Sequence, residues 1–195
     1  TKPEGVRSEA GDLDLVVYSL RKWMRLALRG NPTVLLLLFA PANKIITITR
    51  SGHRLRDLAP AIAARSHGEA FRGYLQSQRL KIELDKGGRP TRPELIERHG
   101  FVTKFAMHML RLGYQGVEYL STGRITLPMP EPTRSRLIDL RLGRMPLADA
   151  LEEARRLEMQ LERLTIAESP LRPEPDCDAA NQFLVDAYRE WWRNA

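Results

Sequence analysis

The chain has 195 residues, 43% hydrophobic and 28% charged, the make-up of a water-soluble globular protein with one good-sized domain or two small ones. Its longest apolar run, 34–42, is about half the roughly 20 residues of a membrane span, no signal-peptide pattern opens it, and its single cysteine, Cys177, excludes an internal disulfide framework, so a reducing cytoplasm is the expected location. Net charge is +7 but uneven, with 20 basic and 10 acidic side chains in residues 1–111 against 11 and 14 in 112–195, so the front section suits either a polyanionic partner or a merely basic surface.

Residues 1–11 lack periodicity and read as a loop. The segment 12–18 (DLDLVVY) alternates and is rich in β-formers, which predicts a strand. Ser19 then stands where an N-cap belongs, and Leu20, Trp23, Met24, Ala27 and Leu28 share one face of a helix over 20–29. Gly30 stops it, and Asn31-Pro32 restarts a second helix to about Phe39, apolar all round and therefore buried. The β-branched run 44–49 predicts a short strand at a sheet edge.

Beyond Gly52 the pattern is helical, over 53–64, 67–85, 93–99, 102–121, 133–142, 147–167 and 178–193. Breaks fall at Gly87–Pro90 and Pro128–Pro132, and 169–178, with three prolines, makes a rigid linker. The expected architecture is α+β, with a small α/β portion over 1–65 and a helical domain over 66–195. Two strands do not make a stable sheet, so further strands are expected ahead of Thr1.

Asp12 and Asp14 lie two apart on the predicted strand and so face the same way, an arrangement that a divalent cation relieves. A D-x-D is a weak motif, and Asp176-Cys177-Asp178 reads as helix capping. Arg21, Arg25 and Arg29 recur at helical spacing with Lys22 beside them and no intervening acid. Like charges so placed repel, so the face is paired with carboxylates from elsewhere or with a bound phosphate. Lys104, His108 and Arg111 form one polar stripe, on which His108 tends to be neutral beside two cations. Gln76, Gln78 and Arg79 face a ligand or solvent equally well. Trp23, Trp191 and Trp192 read as packing residues. The sequence contains no zinc-ligand spacing, Walker loop, nucleophile elbow or dinucleotide fingerprint.

Three blocks carry a resemblance: 14–33, with Asp14, Tyr18 and Asn31-Pro32; His99–Leu112, with Lys104, His108 and Arg111; and Glu118–Pro128. In this order they resemble a family of nucleotidyltransferases in the DNA-polymerase-β superfamily, of the type associated with RNA repair. That resemblance implies a metal-dependent transfer of a nucleoside monophosphate from a nucleoside triphosphate (ATP among the candidates) to RNA or another hydroxyl acceptor, with two Mg2+ ions expected. It implies a catalytic, metal-binding role for Asp14, a metal-binding role for its neighbour Asp12, and contacts to nucleotide or nucleic acid from Lys104, His108 and Arg111. Arg21, Lys22 and Arg25 would line the same cleft by position. The family's early Gly-Ser turn and D-x-D are not found, although Asp12 and Asp14 can be read as that pair, and Leu36 stands where members commonly carry Glu. A catalytically inactive nucleic-acid- or nucleotide-binding module is the alternative.

Overall fold

A computed structural model describes residues 15–87 and 93–194, with the side chains of 85–87 and 194 left aside. The described residues contain helices and connecting segments and no strand. This corrects the expected α+β fold. Residues 15–18 form no ladder, and Leu15, Val16 and Val17 stand largely in solvent. The second predicted strand gives way to a 3-10 turn over Ala42–Lys44 followed by irregular chain, and Ile46 is fully exposed. β-Branched side chains favour an extended backbone, but a strand forms only where a neighbour takes its N–H and C=O groups.

Most helical signals held, although the helix expected over 53–64 divides in two and Leu37, in the stretch expected to be buried all round, is 54% exposed. Helix α1 spans Leu20–Ala27, and the Ser19 hydroxyl accepts from the Lys22 amide at 3.3 Å. Gly30 closes that end at φ 70°, and a Cβ there would lie 2.7 Å from His67 Cβ, so both the left-handed backbone and the close approach require glycine. Helix α2 (Pro32–Leu35) is capped by Asn31, whose Oδ1 accepts from the Thr33 and Val34 amides, and it runs on as a 3-10 turn to Phe39. Leu36, in that turn, packs half-buried against the core.

Short helices α3 (Arg50–Asp57) and α4 (Ala59–Ile62) lead to the body of the molecule. There follow α5 (His67–Gly87), α6 (Pro93–His99), α7 (Thr103–Thr122), α8 (Thr133–Arg141), α9 (Leu147–Arg163, extended by a π turn to Glu168) and α10 (Cys177–Asn194). Two glycines on α7 set the packing. A Cβ on Gly116 would meet Phe71 Cβ at 2.9 Å and Leu161 Cδ2 at 2.8 Å, and one on Gly113 would meet Leu157 and Leu75. These pairings run α5 antiparallel and α9 parallel to α7. Tight packing on both sides buries Ala106, Met109, Leu110, Leu112 and Leu120 of α7.

One apolar core continues from Trp23, Met24 and Ala27 through Phe71, Leu75 and Tyr119 to Phe183 and Ala187. Trp191 and Trp192, expected to pack, are instead about 70% exposed at the end of α10. His67 stitches the front helices to the body. Its Nε2–H donates to the Leu28 carbonyl (3.2 Å), which leaves Nδ1 to accept from the Tyr119 hydroxyl (3.0 Å). Burial pushes its pKa down to about 4, with the Leu28 carbonyl and Glu174 opposing, so the buried ring is neutral.

The proline-rich segment 169–176 lies along 61–66 as a strap. The Arg65 and Ser66 amides donate to the Arg172 and Pro173 carbonyls, and the Asp176 amide donates to the Ala61 carbonyl at 2.8 Å. Asp176 also caps α10 through the Ala179 amide at 2.9 Å, which holds its carboxyl below the usual range.

Candidate anion-binding site

The buried face of α7 is fixed by its apolar residues, and the 3.6-residue repeat turns Lys104, His108 and Arg111 together to the other side. The body then adds two cations from neighbouring helices. Antiparallel packing carries Lys81 of α5 alongside, its Nζ 5.7 Å from the centre of the Phe105 ring. From α8, Arg141 donates to the Thr103 hydroxyl at 3.1 Å, which anchors its guanidinium at the start of α7.

His108 reports the field of this cluster. Its pKa is pushed down to about 4, first by burial and then by Arg111, Lys104, Arg141 and Lys81 in that order. Every charge that acts on it is positive. Burial also lowers the Arg111 guanidinium, although it stays charged near neutrality. Its buried Nε has no hydrogen-bond partner, and Arg111, Lys104 and Lys81 have no carboxylate partner among the described residues. Acids of α8 and α9 pair with other groups: Glu158 through Oε2 with Arg79 (2.5 Å), Glu153 with Arg136, Arg156 and the Tyr114 hydroxyl, and Asp139 with Arg144. An uncompensated set of cations around a partly buried arginine is chemically a receptor for phosphate-like oxygens.

The structure brings together Lys104, His108 and Arg111 as the sequence implies. Arg21, Lys22 and Arg25 form a separate patch. They are exposed on α1, where with Arg29, Leu28 and Leu184 they line a shallow groove. They have no ion-pair partner among the described residues, Lys22 Nζ lies 5.4 Å from the Tyr18 ring centre, and none of them acts on His108. Arg79 is held by its ion pair with Glu158, so its ligand-facing reading gives way to a structural one.

Asp12 and Asp14 lie outside the described residues. Among those residues, no group of three or more His, Cys, Asp or Glu side chains is disposed to hold a metal ion. No helix among the described residues is long and apolar enough to cross a membrane.

Sequence reasoning missed Lys81 and Arg141. Each reads as an ordinary surface charge on its own helix, and only the alignment of α5 and α8 against α7 adds it to the cluster. The positive excess of residues 1–111 was the one available signal for Lys81.

A family model described as RlaP, RNA repair pathway DNA polymerase beta family, matches residues 1–186 of the chain. No curated protein and no solved structure matches it.

Proposed function

The chain belongs to the RNA repair pathway DNA polymerase beta family, and from that premise we propose that it is a nucleotidyltransferase that moves a nucleoside monophosphate from a triphosphate to a hydroxyl of RNA or a similar acceptor. The observation that carries this reading is the cationic face of α7, where Arg111 keeps a buried, unpartnered Nε beside Lys104 and a neutral His108. Transfer of a nucleotidyl group asks the protein mainly for positioning and for neutralisation of charge on the phosphates and the departing pyrophosphate. Lys104 and Arg111 are suited to that neutralisation. His108 is able to donate one hydrogen bond to a phosphate oxygen without adding a repelling charge when the site is empty. Arg21, Lys22 and Arg25, on their own groove, suit the sugar–phosphate backbone of a nucleic-acid acceptor. Magnesium belongs to the proposal through Asp12 and Asp14 alone.

The test is incubation of the protein with each labelled nucleoside triphosphate, magnesium and a pool of RNAs, followed by separation of extended products. Transfer that is lost in Arg111→Met and in Asp14→Asn supports the reading. Binding of nucleotide or RNA without transfer under any of these conditions overturns it in favour of an inactive binding module.

A further inference from the structure

We propose that Lys81 and Arg141 complete, with Lys104, His108 and Arg111, a five-residue cradle for polyphosphate, and that the cradle takes up a proton on His108 as the anion enters. The inference rests on the phosphate-binding reading of the α7 face and deepens it by naming two further residues and a proton linkage.

The geometry supplies the argument. Three helices contribute cations along one stretch of α7: Lys81 of α5 places its Nζ 5.7 Å from the centre of the Phe105 ring, Arg141 of α8 donates to the Thr103 hydroxyl, and α7 itself gives Lys104 and Arg111. Arg141 is held there by its bond to Thr103, a residue with no exposure to solvent, so its charge is delivered at a fixed position rather than waved in solvent. Among the described residues no carboxylate pairs with these cations: Glu158 is tied to Arg79 across α5 and α9, Glu153 to Arg136 and Arg156, and Asp139 to Arg144. Keeping His108 neutral lessens repulsion within an empty cradle. That is the state in which burial and the four cations hold it.

A bound polyphosphate reverses the sign of the field. Its oxygens neutralise Lys81, Lys104, Arg111 and Arg141 and themselves favour a charged imidazolium. The step is one of proton balance only: a solvent proton moves onto the free ring nitrogen of His108, gaining an N–H that donates to the anion, and no covalent bond to phosphorus forms or breaks. By linkage, affinity must then rise as pH falls through the range between the empty and occupied His108 titrations, because the occupied state holds more protons.

The experiment is calorimetric titration of the full chain with inorganic tripolyphosphate at pH 6.5, in two buffers of different ionisation heat, so that protons exchanged per anion are counted. Tripolyphosphate itself titrates, so wild type is compared with His108→Gln, which removes only the histidine contribution. The expected result is that wild type takes up roughly half a proton or more per anion beyond His108→Gln. Lys81→Ala and Arg141→Gln should each weaken binding about five- to tenfold, in line with one lost charge-assisted contact. Lys81 is exposed, so its variant folds as wild type does, and Arg141→Lys, which keeps the charge, checks that loss in Arg141→Gln is electrostatic. Equal proton counts in wild type and His108→Gln, or unchanged affinity in Lys81→Ala, overturns the cradle. A protein that transfers nucleotide yet shows equal proton counts leaves the transferase reading standing; one that shows the linkage but transfers nothing does the reverse.

Discussion

Acidification should loosen this molecule at one identifiable joint, the His67 ring between Leu28 and Tyr119. In the folded chain its pKa is about 4, chiefly through burial, whereas an unfolded histidine titrates near the ordinary 6.5. The unfolded state therefore binds the proton more tightly. The stabilising contribution is whole above pH 6.5 and drains away as pH falls toward 4, amounting in full to about 3 kcal/mol. At pH 5 about 2 kcal/mol of it is gone, which for a chain of this size corresponds to roughly 4–8 °C in Tm. The assay is urea unfolding at pH 7.5 and pH 5.0 for wild type and His67→Asn, in salt high enough to screen surface charge. The variant starts less stable, having lost one or both bonds of the ring, but it should lose about 2 kcal/mol less than wild type on acidification. His108 titrates in the same window and is common to both proteins, so it cancels from the difference. Parallel losses in the two proteins, or an NMR titration that puts the His67 midpoint near 6.5, would refute the reasoning.

Four other outcomes follow from the same structure. Arg111→Met removes a partly buried charge with an unpartnered Nε, so unfolding stability should hold or rise by about 1 kcal/mol while tripolyphosphate binding falls at least tenfold; a large loss of stability would show that the guanidinium has an internal partner. Gly30→Ala should destabilise the chain by about 2 kcal/mol or more in urea melts, because the left-handed backbone and the approach of His67 both oppose a methyl group. Gly116→Ala gains about 1 kcal/mol of helix propensity but drives a Cβ onto Phe71 and Leu161, so a net loss of roughly 1 kcal/mol is expected, and a gain would mean that α7 and α9 have room to part. Arg21→Ala with Arg25→Ala should weaken RNA binding and flatten its dependence on salt concentration; an unchanged slope would assign those residues to a solvated surface only.

The helices were legible because their signals are local. Ser19, Asn31-Pro32 and Gly30 are caps and stops that act within one turn, and the spacing of Trp23, Met24 and Ala27 marks a buried face without reference to any other segment. The supposed strands failed, over 15–18 and 44–49, for the opposite reason. Val16, Val17, Ile45 and Ile46 state a preference for extended backbone, but sheet formation depends on a partner edge that those residues do not specify. The site divides the same way. Lys104, His108 and Arg111 share a stripe by helical arithmetic alone, whereas Lys81 and Arg141 join them through the register that the glycines of α7 impose and through the Thr103 anchor. The resemblance identified the family, now shown over residues 1–186, and the unpartnered arginine could be found only in three dimensions.

The strap over 169–176 has a consequence for the order in which the molecule becomes complete. Helix α10 packs against α1 and α4, yet it leaves the ribosome about 150 residues after α1 does. At ordinary rates of synthesis that is a wait of roughly 8–30 s, during which α2 already lies against the first helix but the side that meets α10 has no cover. Nascent chains arrested before Cys177 should therefore leave Leu20 and Met24, which adjoin Ala187 and Leu184 of α10, open to protease or chaperone, and protection should arrive once the strap has docked along 61–66.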